Sequence, residues 1–334
     1  MKIGVIASIA HRLPPANYGP WEQIASTLTE GFVARGHDVT LFATADSVTS
    51  GRLRGTVPAG YEEAADVDVK VAEAMHLPAA FEQAGEFDLL ANHFDFMPLT
   101  YSRLVSTPMV TTIHGFSSER IVPVFQAYDD IAHYVAISDA NRHPALRYAA
   151  TIYHGIDLGA FTFVPEPGRY LLFLGRIHPD KGTHLAIEVA RRAGLPLIIA
   201  GVVQDRAYFR AAVQPHVDGV AVSYAGPADP AERDALLGGA LALLHLISFA
   251  EPFGLSVVEA LATGTPVIAA PLGSMPELLD HERTGYLVSD VDAAVAAVGR
   301  VDRLDRSACH ADAVRRFGAD RMIDDYLALF QTIA

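Results

Sequence analysis

Apolar residues along this chain come in short continuous runs of β type, separated by stretches whose apolar positions repeat at helical spacing. In the first half the runs predict strands at Ile3 to Ser8, Asp38 to Thr44, Asp88 to Phe94, Met109 to His114, His133 to Ile137 and Thr151 to Tyr153. Trp21 to Arg35 reads as a helix between the first two, with Gly36 as its stop. The second half repeats the rhythm, with strands at Tyr170 to Leu174, Leu197 to Gly201, Val220 to Ala225, Leu241 to Ile247 and Val267 to Ala270. Helices are predicted there at Thr183 to Ala193, Pro230 to Gly238 and Leu255 to Ala262, and a last helix at Asp320 to Ile333 follows a break at Gly318. Strands that are apolar throughout and alternate with helices imply parallel sheets covered on both faces. Two prolines and a glycine interrupt Phe163 to Gly168, which places a domain boundary there. The predicted organisation is α/β: two Rossmann-like, doubly wound domains over residues 1–164 and 165–318, facing across a cleft. Residues 319–334 form a C-terminal helix expected to pack back on the N-terminal domain.

The chain has 334 residues, 51% of them hydrophobic and 19% charged, enough to bury two cores. Its single cysteine, Cys309, excludes a disulfide framework and a cysteine-rich zinc site, and suits a reducing cytosol. The N-terminal apolar segment has no basic region or cleavage site before it and reads as a strand rather than a signal peptide. No apolar run approaches the roughly 18 residues that span a bilayer. The net charge of -14 argues against nucleic acid as a partner but not against a small phosphorylated ligand. These features predict a cytoplasmic protein.

Ligands bind at the carboxyl ends of strands in such sheets, so residues just past the strands are the candidates. Neither a G-x-G-x-x-G fingerprint after the first strand nor a Walker A loop is present. Gly175-Arg176-Ile177-His178-Pro179-Asp180-Lys181-Gly182 joins a strand to a helix. Arg176 and Lys181 there could converge on one anion, such as a diphosphate leaving group. The alternative is a polar turn with Thr183 as the helix cap. Glu251-Pro252-Phe253-Gly254-Leu255-Ser256-Val257-Val258-Glu259 follows another strand. Its carboxylates could accept from sugar and ribose hydroxyls, with free amides at the helix start. Alternatively, Ser256 and Glu259 form a capping box. His114-Gly115 ends a strand in the first half, where the histidine could meet a transferred group or simply pack. Pro14 to Glu22 follows the first strand, and Gly19 in it permits close backbone approach. Its alternative is an ordinary proline-rich loop leading into a helix.

The order Gly175-Arg176 … Asp180-Lys181-Gly182, Glu251-Pro252-Phe253-Gly254-Leu255 … Glu259-Ala260 and Gly264-Thr265-Pro266-Val267-Ile268 resembles the family 4 (GT4) retaining glycosyltransferases of the GT-B fold. Val135-Ala136-Ile137-Ser138, His154-Gly155-Ile156-Asp157, Gly273-Ser274-Met275-Pro276-Glu277 and Thr284-Gly285-Tyr286-Leu287-Val288 add to the likeness, which spans nearly the whole chain. The resemblance implies a hexosyltransferase using a UDP-, GDP- or ADP-linked sugar, with no cofactor and no obligatory metal. Arg176 and Lys181 would bind the diphosphate, and Glu251 the donor sugar, lined by the backbone of Phe253, Gly254 and Leu255. Glu259 would hold the ribose, which displaces the capping reading. His114 would lie beside the sugar at the reaction centre, and Gly19 would approach the donor from the N-terminal loop. The acceptor is a small molecule or saccharide that no motif names. Two departures stand out. Pro20 replaces the second glycine of the usual Gly-Gly-x-Glu, removing a backbone N–H, and Ala250 stands where relatives often carry an acidic residue. A non-catalytic nucleotide-sugar-binding protein and a sugar-nucleotide epimerase are the other readings.

Overall fold

The computed structural model describes residues 1–334 except Asn17, Ala65 and Ser117. Asn17, part of the predicted proline-rich loop, therefore lies outside the described residues. The chain divides into two units, Met1–Gly155 with Ala319–Ala334, and Ile156–Gly318.

The first unit is built on a seven-stranded sheet. Its strands are β1 (Lys2–Ala7), β2 (Asp38–Thr44), β3 (Arg52–Val57), β4 (Leu89–His93), β5 (Met109–Ile113), β6 (His133–Ala136) and β7 (Tyr148–Thr151). They run parallel in the order β3-β2-β1-β4-β5-β6-β7. Every residue of β4 and β5 is buried, and only the first of β1 and β2 is exposed, as strands covered on both faces require. The edge strand β3 differs: Arg52 and Arg54 face water, so it carries no apolar run. The strand expected at Thr151 to Tyr153 instead occupies Tyr148–Thr151, the opposite edge, where partial exposure again weakens the apolar signal.

The helix Pro20–Ala34 starts at Gly19, with proline in its first turn, and ends before Gly36, whose φ is 82°. It packs against the C-terminal helix Ala319–Ile333. A Cβ on Gly31 would lie 2.2 Å from Ile323 Cδ1, so the glycine sets how closely these helices approach. Arg35 bridges Asp320 and Asp324, and the Tyr326 hydroxyl meets Thr112 on β5. A further helix, Val69–Phe81, is capped by Asp68.

The second unit carries a six-stranded parallel sheet, β8 (Leu171–Leu174), β9 (Leu197–Ala200), β10 (Val222–Gly226), β11 (Ala242–His245), β12 (Val267–Ala269) and β13 (Gly285–Leu287). Its order is β10-β9-β8-β11-β12-β13. The helices Thr183–Ala193, Pro230–Gly238 and Leu255–Ala262 keep their expected bounds. Helices at Val291–Val298 and Arg306–Arg316 follow the last strand.

The sequence places the domain boundary after residue 164, whereas the structure places it after Gly155. The reason is a buried guanidinium. Arg306 donates to the carbonyls of Val164, Ala240 and Gly238 and to Thr265 Oγ1 at 2.7–2.9 Å, and Val164 N donates to Thr263 O. These bonds fasten the proline-containing segment to the second unit. Among the described residues, no helix is long and apolar enough to cross a membrane.

Candidate functional site

In the second unit, β8 delivers the chain to Gly175 and Arg176, and the end of β9 steers the loop beyond them. Gly175 N donates to Ala200 O, and Ile177 N to Val202 O. A short turn, Pro179–Lys181, then leads to Gly182. That residue has φ 71°, and a Cβ on it would stand 1.9 Å from Leu246 O. Only glycine fits where this loop crosses the end of β11. Gly182, not Thr183, is the helix cap position, and no side chain caps it. Ser248 N donates to Asp180 O, which joins this loop to the one carrying Glu251.

The joining brings two of the predicted residues into contact. Lys181 Nζ donates to Glu251 Oε2 and lies 4.7 Å from the centroid of the Phe249 ring. His245, the last residue of β11, puts Nε2 3.6 Å from the same carboxylate oxygen. Burial pushes the Glu251 carboxyl up, but His245 and Lys181 outweigh it and hold the group at about 2. Arg176 sits on the same loop but has other partners: it donates to Gln204 Oε1 and lies 3.6 Å from Asp180, which also meets His178 at 2.7 Å.

The loop after Glu251 is supported by the Gly273-Ser274 motif. Gly273 has φ 59°, and a Cβ there would lie 2.3 Å from Glu251 N and O. Ser274 N donates to Glu251 O, and Ser274 Oγ to Phe253 O. Phe253 is buried, Gly254 is the cap position with φ 104°, and Leu255 opens the helix, whose first turn no side chain caps. The capping box of Ser256 and Glu259 is thus not formed. Glu259 is buried and pairs with Arg233 at 3.1 Å. Burial raises its carboxyl, against the pull of Arg233. Sequence reasoning missed both Arg233 and His245. A histidine closing the apolar run of β11 was a readable signal, whereas Arg233 looks like any charge on an exposed helix.

In the first unit, His114 directly follows β5 and is buried. Its Nε2 lies 3.1 Å from His93 Nδ1, and its Nδ1 lies 3.3 Å from His154 Nε2. Trp21 stacks on the His114 ring at 5.2 Å and 20°. Burial lowers all three histidines, His93 and His154 to about 3. Close by in sequence, Asp95 has φ 137°, rare for a side-chain-bearing residue, and buried Asn92 pins that turn by donating to Asp95 O. Burial pushes the Asp95 carboxyl up to about 7. Gly19 has φ 150°, and a Cβ on it would lie 2.9 Å from Pro15 Cβ.

Residues 160–310 match the family model described as glycosyl transferases group 1, a stretch filling most of the second unit. The whole architecture is shared with solved GT-B structures. One is sucrose-phosphate synthase from Thermosynechococcus elongatus, with a TM-score of 0.83 at 18% identity, covering 99% of this chain and 98% of that one. Another is Anabaena HepE in complex with UDP, with a TM-score of 0.76 at 17% identity over 100% of both chains. The chain is a GT-B glycosyltransferase. This glycosyltransferase is 26% identical over 372 residues to the phosphatidyl-myo-inositol mannosyltransferase of Mycobacterium leprae (strain TN), covering 100% of this chain and 97% of that protein. It is also 34% identical over 161 residues to the D-inositol 3-phosphate glycosyltransferase of Pseudarthrobacter chlorophenolicus, covering 45% of this chain and 36% of that protein.

Proposed function

We propose that this glycosyltransferase moves a hexose-type sugar from a nucleoside diphosphate sugar to a small-molecule or saccharide acceptor, with retention at the anomeric carbon, as its resemblance to family 4 implies. The observation that carries the reading is the buried contact of Lys181 with Glu251, which sets a cation for a diphosphate beside a carboxylate for sugar hydroxyls. HepE structures solved with UDP and with UDP-glucose support a nucleotide-sugar donor. The names of the mycobacterial and Pseudarthrobacter relatives favour an inositol-containing acceptor.

In this reading the bond between the sugar's anomeric carbon and the diphosphate oxygen breaks as the acceptor hydroxyl attacks the same face. Negative charge growing on the diphosphate is met by Arg176 and Lys181. A leaving-group phosphate oxygen takes the acceptor proton, so no side chain serves as dedicated base. Glu251 accepts from donor-sugar hydroxyls, with the backbone of Phe253, Gly254 and Leu255 lining their site. Glu259 binds the ribose, His114 lies at the transferred sugar and Gly19 approaches the donor. The reaction needs no metal or cofactor, and the protein works in the cytoplasm.

Thermal denaturation with UDP, GDP and ADP tests this. At least one nucleotide should raise the melting temperature, and Arg176→Ala should abolish the rise in a folded variant. No shift with any nucleotide would overturn the reading. Donor interconversion without transfer or hydrolysis would indicate an epimerase, and binding without turnover a non-catalytic relative.

A further inference from the structure

His93 closes β4, His114 follows β5, and His154 lies just past β7, so three separate strand ends bring three imidazoles into one row. All three are buried, at 1%, 6% and 4% exposure. His114 is central, with one ring nitrogen facing His93 Nδ1 and the other facing His154 Nε2. Another buried histidine of this unit, His76, shows what packing alone asks for: its ring nitrogens meet the Ala7 carbonyl and the Thr56 hydroxyl, not another imidazole.

Ring-to-ring bonding has a consequence that carbonyl bonding lacks. A carbonyl only accepts and so fixes the tautomer of its partner, whereas a neutral imidazole donates at one nitrogen and accepts at the other. The row then has two self-consistent proton arrangements. In one, His93 Nδ1–H donates to His114 Nε2, and His114 Nδ1–H donates to His154 Nε2. In the other, both bonds reverse, with His154 Nε2–H donating to His114 Nδ1 and His114 Nε2–H donating to His93 Nδ1. Each gives His114 one N–H and one lone pair, at exchanged positions. When a substrate oxygen takes over one nitrogen of His114, the neighbour left on the other nitrogen decides what is presented. Trp21, stacked on the ring face, restricts ring rotation.

We propose that His93 and His154 are positioning residues that hold the ring orientation of His114 at the transferred sugar and couple its tautomer to their own. The inference rests on the placement of His114 given under Proposed function. Depressed titration of all three rings fits a row that stays neutral, with burial the main cause. Arg321, which donates to the Tyr153 and His154 carbonyls, further opposes a charge on His154.

Long-range proton–nitrogen correlation NMR on ring-labelled histidine tests the proposal without needing a substrate. His114 is assigned by the signal lost in His114→Gln. In the wild type it should stay neutral, with a tautomer balance that does not change between about pH 5 and 8. His93→Phe and His154→Leu should each shift that balance or restore titration. His93→Asn and His154→Gln, which return an amide near the lost nitrogen, should move the balance back toward that of the wild type. With GDP-mannose or UDP-glucose as donor, the removal variants should lower kcat for donor hydrolysis about tenfold or more with KM unchanged, by analogy with the loss of a partner that orients a metal-binding histidine. A titrating wild-type His114, unchanged His114 signals in both removal variants, or amide variants no better than the removal ones would overturn the proposal. If a removal variant does not fold, the wild-type and amide spectra decide. Nucleotides that leave the melting temperature unmoved would sink the transferase reading instead, and the NMR result would stand apart from it.

Discussion

Lys181 donates to Glu251, with side chains only 13% and 14% exposed, so the cation proposed for the diphosphate has a buried carboxylate partner. Breaking such a pair from one side strands a charge and costs about 3–5 kcal/mol when burial is complete. Lys181→Met should therefore lower the urea midpoint and abolish the nucleotide-induced melting shift together. The double variant Lys181→Met/Glu251→Gln should recover much of the stability but none of the shift. Nucleotide response regained along with stability would show that Lys181 only steadies the loop.

Glu259 meets Arg233 rather than the backbone of its own helix, so its carboxylate is available to a ribose only while the guanidinium shares it. Glu259→Gln removes the charge that Arg233 pairs with and weakens acceptance from two hydroxyls. Calorimetry should show at least a tenfold weaker Kd for the nucleoside diphosphate that binds best, about 1.4 kcal/mol. The free base or inorganic diphosphate, which lack the ribose, should bind the variant as they bind the wild type. Equal weakening for diphosphate alone would place Glu259 elsewhere than at the ribose.

How far the sequence can be read depends on where each residue sits. β1, β2, β4 and β5 were legible because burial on both faces makes them apolar throughout. β3, with Arg52 and Arg54 at the sheet edge, presents no such run. β13 is only three residues long, and its Gly285 has no room for a side chain beside Val267 O. Lys181 and Glu251 stand out as candidates in the sequence because each lies in a local motif. His245 beside Glu251 and Arg233 beside Glu259, like His93 and His154 around His114, belong to other strands and helices. Only the sheet order brings them in, and one sequence does not reveal it. The helix Leu255–Ala262 was legible, but the ion pair of Glu259 with Arg233 was not, since a capping box and a buried ion pair need the same residue type.

Arg306 gathers the carbonyls of Val164, Ala240 and Gly238 with Thr265 Oγ1, so one guanidinium ties three segments of the second unit. A lysine keeps the charge but places its three donors at a single point and cannot span the fork. Arg306→Lys should cost about 2–4 kcal/mol, since bonds from a charged donor are worth about 1.5–3 kcal/mol each and at least one of the four would be lost. Urea denaturation monitored by circular dichroism measures this. An unchanged midpoint would mean that the segment is held by its other contacts.

Acid should destabilise the first unit well above the range where carboxylates usually titrate. His76 is lowered to about 4, and His93 and His154 to about 3, all by burial, while the unfolded chain protonates histidine near 6.5. Between those limits the unfolded state binds more protons than the native one, so stability rises with pH and falls as acid is added. Each such group contributes a slope of about 1.4 kcal/mol per pH unit. Asp95 works in the other direction: with its carboxyl raised to about 7, the stability it contributes is present at low pH and lost as pH rises through that value. Three histidines outweigh one aspartate, so the melting temperature should fall steadily from about pH 6.5 to 5, and His76→Gln should flatten the decline. Because His76 bonds to the Ala7 carbonyl and the Thr56 hydroxyl, its replacement leaves the His114 row intact. A melting temperature that holds or climbs over that interval would mean that the rings are protonated, or reached by water, in the native state.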